Sequence, residues 1–183
     1  ELAAHTNGKS KIFGVSVKDR GAVSLAGHAG KAFWFSKAGA EFVTSSYYYD
    51  EYPEWVRAWN ARNPAEAYAG ESWELMHDAS NYLFGDSDDR EYETDFPGFG
   101  RTFPHPYGAA DDPYFTTRLT LSPAGDELTL DFAKVLIDAE GLETQRYRDV
   151  RMHIIHAAEE VQHLEASSKL NAEWEYLTYL FER

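Results

Sequence analysis

KIFGVSVKDRGAVSLAGHAGK, residues 11–31, decides how the rest of the chain is read. Ile12, Val15 and Val17 form an apolar run of strand character, expected from about Lys11 to Val17. The run breaks at once into Lys18, Asp19, Arg20 and Gly21, and AVSLAGHAG follows as a small, Gly-rich passage that lets backbone lie close to a neighbour. In an extended segment, residues two apart share a face, so both cations are expected to aim at one place. Arg offers a planar fork to two oxyanion oxygens, and Lys adds a compact point charge. The pair suits a dianionic phosphate monoester; solvated cations at a strand end are the other reading of the same spacing.

Outward from this stretch, KAFWFSKAGAEFVTSSYYY reads as a β-hairpin with arms Ala32–Ser36 and Glu41–Tyr48 and a turn over Lys37–Ala40. Upstream, residues 1–10 read as a helix end closed by Asn7-Gly8. Downstream, Pro53 opens a helix whose Trp55, Val56 and Trp59 mark a buried face. From Asn63 to Pro123 the pattern dissolves into Gly-, Pro- and aromatic-rich loops, expected to wrap over a core. A second helix follows Ser122-Pro123, with Leu128, Phe132, Val135, Leu136 and Ala139 on one face and Gly141 as its cap.

All 13 Gly and all 7 Pro lie at or before Gly141, which sets a composition boundary near residue 143. Beyond it, Val150, Ile154, Ala157, Val161 and Leu164, then Leu170, Trp174, Leu177 and Phe181, step at helical spacing and predict a helical hairpin over 146–182. Two domains are therefore expected, 1–142 and a helical tail, 143–183.

The 183 residues allow one domain with a real core. A formal net charge of −14 argues against nucleic acid and anionic membranes as partners, and makes paired cations conspicuous. The absence of Cys excludes disulfides and thiolate chemistry. No apolar run approaches the ~20 residues that span a bilayer. The chain opens at Glu1 with neither an initiator Met nor a signal-like segment, which reads as a processed chain or a piece of a longer one.

Other motifs resolve to plain readings. Gly27–Ala32 fails the phosphate-loop pattern, with Leu25 in place of the first Gly and Ala32 in place of Ser or Thr. His153, His156, Glu160 and His163 form a polar stripe on the tail, but one helix with a spread of about 15 Å does not build a di-metal cage. His28, His77 and His105 lack partners at ligand spacing, and ordinary hydrogen bonding is expected of them. Asp88-Asp89-Arg90-Glu91 and Asp111-Asp112 lack the calcium-loop pattern and read as solvated turns.

KIFGVSVKDRGAVSLAGHAGKAFWF (11–35), FVTSSYYYDEYPEWVRAWN (42–60), GFGRTFPHPYG (98–108) and TLSPAGDELTLDFAKVLIDAEGL (120–142) together resemble the zinc-dependent alkaline phosphatases of the nucleotide pyrophosphatase/phosphodiesterase type. The resemblance covers residues 1 to about 142. It implies that Lys18 and Arg20, matching the family's Lys-x-Arg pair, contact the nonbridging oxygens of the transferred phosphoryl group as catalytic and substrate-binding residues. It implies a fragment of an α/β/α sandwich: one core strand, a β-hairpin and a loop-rich cap insertion, followed by the tail. It further implies a parent enzyme with two zinc ions and a threonine nucleophile, periplasmic or secreted, acting on phosphate monoesters.

The family's nucleophile, its neighbouring Asn and its first zinc-binding Asp precede the matched segment. The remaining zinc ligands follow the second helix, where this chain has RYRDVRMHIIHAAEE. Asp149-x-x-x-His153 has a ligand spacing, but helical periodicity surrounds it, and no zinc role is assigned. No metal is expected to find a complete site in this chain. Two classes of function follow. One is a phosphatase fragment inactive alone, from a monoesterase or alternatively a phosphodiesterase/nucleotide pyrophosphatase parent. The other is a non-enzymatic binding module, with self-association through exposed apolar surface.

Overall fold

The computed structural model describes residues 2–142, and the predicted helical hairpin and metal stripe of the tail lie outside them. The described residues form two compact units, one from 2–64 and 128–142, the other from 65–127.

The first unit begins with a short helix, α1 (Leu2–His5), which ends as the sequence predicts: Asn7 (φ 51°) and Gly8 (φ 75°) turn left-handed. Strand β1 (Phe13–Ser16) then feeds directly into helix α2 (Asp19–Ala26), which returns the chain to β2 (Lys31–Ser36). β1 and β2 pair in parallel, Phe13 opposite Lys31 and Ser16 opposite Trp34. The strand is shorter than the expected Lys11–Val17, and the first half of the Gly-rich passage, Ala22–Ala26, is helix while Gly27–Gly30 turns. Leu25 and the small residues Ala22 and Ala26 favour helix, while Gly27 (φ 59°) closes it. The close approach is nonetheless real, and Gly14 permits it. A Cβ there would overlap the Ala22 carbonyl oxygen and come within 2.8 Å of Ala26 N, so α2 lies directly on the strand backbone.

β2 continues through the turn into β3 (Glu41–Val43), antiparallel, with Trp34 opposite Val43 and Ser36 opposite Glu41. The hairpin is as predicted except that its second arm ends at Val43. Tyr48 N–H and Tyr49 N–H both donate to Ser45 O, winding the tyrosine run into a turn. The outer edge of β3 is closed by a side chain: Asn60 Oδ1 accepts from Phe42 N–H at 3.0 Å and its Nδ2 donates to Phe42 O at 2.9 Å.

Alternation along β2 sorts the layers. Ala32 packs with Ala22 and Ala26 of α2 and with Tyr48. Phe33 packs on the opposite side, against α3 (Glu54–Ala61) and α5 (Pro123–Ala139). The unit is thus a small α/β/α sandwich. Phe132 of α5 is its hub, fully buried, with ring centroids 4.2 Å from Phe42, 5.2 Å from Trp55, 5.3 Å from Trp59 and 5.4 Å from Phe33. Asp131 Oδ2 ties α3 to α5 by accepting from Trp59 Nε1 at 2.6 Å and Arg62 at 2.7 Å. Pro53 sits one residue earlier than expected, at the N-cap of α3. On α5, Leu128, Phe132 and Leu136 are buried as predicted, whereas Ala139 is exposed at the final turn. Gly141 N–H to Asp138 O and Leu142 N–H to Ile137 O complete the glycine-capped end.

The second unit is built from the stretch expected to wrap over a core, and it has a core of its own. It comprises 3-10 turns at Pro64–Tyr68 and Ala79–Asn81, a two-residue pair of β4 (Ser72–Trp73) with β5 (His105–Pro106), and α4 (Phe115–Thr120). His105 is fully buried among Trp73, Phe99 and Phe103, at 5.3, 4.8 and 4.4 Å. The organising side chain is Arg118 of α4, only 5% exposed. It donates to Pro97 O from Nε (3.1 Å) and Nη2 (2.8 Å), to Tyr107 O from Nη1 (2.9 Å), and pairs with Asp112 Oδ2 at 3.1 Å. Gly98 (φ 71°) and Gly108 (φ 85°) flank the guanidinium so closely that a Cβ on either would strike it.

The acidic turns are therefore not merely solvated. Asp88 accepts from Phe103 N–H at 2.7 Å, Asp89 pairs with Arg101 at 2.8 Å, and Asp112 accepts from Tyr114 N–H at 2.7 Å. The Tyr114 hydrogen bond, with Arg118 assisting, holds the Asp112 carboxyl below its ordinary value. Stability from Asp112 is thus fully present above the ordinary carboxylate pKa and is lost as pH falls through the lowered one. Asp112→Asn is expected to flatten the acid limb of a pH–stability curve in that range, measured by denaturant melts; an unchanged limb would contradict this.

Candidate functional site

Lys18 and Arg20 both stand at the start of α2, in a different geometry from the one the extended reading supplies. Lys18 is the N-cap, with extended backbone (φ −110°, ψ 142°), and Arg20 stands in the first helical turn. Their placement is therefore set by a helix start, where residues two apart do not share a face, and not by strand alternation. Lys18 is half-buried, while Asp19 and Arg20 are exposed.

Three local features hold this turn. Ser16, fully buried at the end of β1, accepts Lys18 N–H on Oγ at 3.3 Å. Lys18 O opens the helix by accepting Ala22 N–H at 3.2 Å. Asp19 Oδ1 accepts Arg20 N–H at 2.8 Å and so anchors the turn. Ser16 is the residue that sequence reasoning missed: a serine inside an apolar run carries no periodic signal, and its role depends on the strand stopping there.

The residue types oppose ordinary helix-start chemistry. N-caps favour Ser, Thr, Asp and Asn, whose oxygens accept the first helical N–H groups, and Lys18 makes no such bond. The start of a helix also carries partial positive charge, so cations there are unfavourable while anions are favoured. Asp19, in the first turn, supplies the acid that such a terminus favours.

The remaining candidates take structural roles. His28 Nδ1 lies 3.1 Å from Tyr47 Oη, His105 Nδ1 donates to Phe99 O at 3.0 Å, and the His77 ring packs 6.3 Å from Tyr82, whose Oη accepts the His77 backbone N–H at 3.1 Å. Among the described residues, no three His, Cys, Asp or Glu side chains lie close enough to share a metal ion. These residues therefore do not fit a metal centre. No helix among them is long and apolar enough to cross a membrane.

No family model matches the chain. It is 33% identical over 144 residues (78% of this chain, 26% of the relative) to a protein named calcium-transporting ATPase from Myroides odoratus. It is 33% identical, over the same shares, to alkaline phosphatase PhoV of Synechococcus elongatus. It is also 33% identical over 141 residues (75% of this chain, 26% of the relative) to alkaline phosphatase PafA of Elizabethkingia meningoseptica. The chain thus spans about a quarter of the length of the curated relatives it matches. Wild-type PafA in crystal form superposes with a TM-score of 0.80 at 31% identity, covering 96% of this chain and 35% of that one. A PafA variant in which a Thr, an Asn, and a Lys and an Arg two positions apart are replaced superposes at 0.79 with 27% identity, over the same shares. The mixed α/β fold is that of part of alkaline phosphatase PafA, and sequence and structure together support a place in the alkaline phosphatase superfamily.

Proposed function

We propose that this chain is the phosphate-holding part of an alkaline phosphatase that hydrolyses phosphate monoesters, with Lys18 and Arg20 binding the nonbridging oxygens of the transferred phosphoryl group. The observation that carries the reading is the pair of cations at the N-cap and first turn of α2, beside a helix start whose partial positive charge favours anions. The likeness to PhoV and PafA supports it, as does the fact that a solved PafA variant lacks a Lys and an Arg at the same two-residue spacing. In this reading Arg20 supplies a planar two-point contact and Lys18 a point charge, and both stabilise charge that grows on the equatorial oxygens during transfer. Ser16 fixes where Lys18 leaves the strand.

The parent enzyme is of the zinc-dependent nucleotide pyrophosphatase/phosphodiesterase type and acts in the periplasm or outside the cell. Its metal cage and threonine nucleophile are not among the described residues, so no chemical step is assigned to them. Residues 1–142 form the partial phosphatase domain, and 143–183 a separate tail. Hydrolysis of p-nitrophenyl phosphate by the chain, assayed with added zinc, tests the reading that it is a fragment. Turnover no faster than the protein-free control is expected, and sustained turnover that disappears in Lys18→Ala would show a complete active site instead.

A further inference from the structure

Tyr68, Tyr107 and Asp126 gather around Glu127 in the 65–127 unit. Tyr68 Oη, at the end of the Pro64–Tyr68 turn, donates to Glu127 Oε2 at 2.5 Å. The Tyr107 ring, buried just beyond β5, stands edge-on to Tyr68 with centroids 5.8 Å apart. Asp126, fully buried, precedes Glu127 in the opening turns of α5, and Glu127 itself is half-buried. Each of these groups is neutral with its proton and negative without it, so the cluster gathers charge as pH rises. Burying such charge costs free energy that access to water recovers.

We propose that Glu127 is a pH-sensitive latch in this unit: with its carboxyl protonated it holds the Pro64–Tyr68 turn against the start of α5, and loss of that proton loosens the turn. Tyr68 faces the carboxyl from the turn, Tyr107 from the stretch after β5, and Asp126 from its own helix. Burial is the main cause that raises the Glu127 carboxyl above its ordinary value; the Tyr68 hydrogen bond opposes it and the Asp126 charge adds to it. Burial likewise pushes the Tyr107 hydroxyl up to about 12, against a Ser122 hydrogen bond and with the Glu127 charge adding. Tyr107 therefore stays neutral where Glu127 switches. A raised folded-state value means that stability from Glu127 is fully present below the ordinary carboxylate pKa and is lost as pH rises through the raised one. The direction is opposite to that of Asp112, which separates the two.

Amide exchange reads the latch, because Gly70 N–H donates to Gly108 O at 2.8 Å and Tyr107 N–H donates to Glu71 O at 2.9 Å, joining the stretches that follow the turn and β5. The test measures protection factors of these two amides in the whole chain from about pH 5 to about pH 9, on wild type, Glu127→Gln and Glu71→Gln. Gln keeps an oxygen that accepts from Tyr68 Oη and removes only the charge. Glu71 is an exposed carboxylate nearby. Protection in wild type and in Glu71→Gln is expected to fall with pH, by up to about tenfold per unit while Glu127 titrates, and to stay level in Glu127→Gln. Level protection in wild type, a fall that persists in Glu127→Gln, or a fall equally abolished in Glu71→Gln overturns the proposal. A carboxyl-carbon NMR titration of Glu127 in wild type needs no variant and is expected to place the midpoint above the ordinary carboxylate value. A midpoint at or below that value overturns the proposal as well.

Discussion

Phe132→Ala is expected to lower the stability of the sheet-bearing unit by about 3–5 kcal/mol, enough to unfold a domain of ordinary marginal stability. The size follows from its place: fully buried, stacked on Phe42 at 4.2 Å, and touched by Phe33, Trp55 and Trp59. Truncation leaves a hole lined by rigid rings on three elements, β2, β3 and α3, that cannot collapse together without shifting the strands. Phe132→Leu refills part of the volume and is expected to recover much of the loss. Denaturant melts followed by tryptophan fluorescence report on this unit through Trp55 and Trp59. A loss under about 1 kcal/mol would contradict the hub role.

Arg118→Ala is expected to have an effect of similar size on the other unit, about 3–5 kcal/mol, for an electrostatic reason. Its guanidinium is nearly enclosed and serves two carbonyls and a carboxylate, those of Pro97, Tyr107 and Asp112. Removing it strands these acceptors and leaves a void between Gly98 and Gly108. Arg118→Lys is not expected to rescue, because one ammonium cannot reproduce a fork that reaches both loops. Limited proteolysis provides the readout: cleavage should become rapid within 65–127 in both variants, and wild-type resistance in Arg118→Lys would show that charge alone suffices.

These two residues also mark what could be read from the chain. Phe132 was legible because α5 repeats apolar residues at helical spacing, and Gly141 signals the stop. The hairpin and α3 were legible for the same kind of reason. Arg118 was not, because its partners are backbone carbonyls 11 and 21 residues away, and no local pattern announces such bonds. The loops from 65 to 127 gain their order from that cation and from aromatic contacts at irregular spacing.

The candidate cations were conspicuous in composition, but their backbone setting was not legible. Two basic residues in an acidic chain drew attention to Lys18 and Arg20. The extended reading was carried through Arg20, and AVSLAG was read as a loose Gly-rich passage although Leu25 and its small residues also suit a helix, as their packing against Gly14 shows. The structure replaces the strand-end setting of the two cations with a helix start, where cations oppose local preference.

The most direct test of the central claim is where inorganic phosphate lands on the isotopically labelled chain. Amide NMR shifts are expected to centre on residues 17–21, with Lys18, Asp19 and Arg20 moving most, and to vanish in Lys18→Ala with Arg20→Ala. Shifts centred elsewhere, or shifts at 17–21 that persist in the double variant, would contradict it.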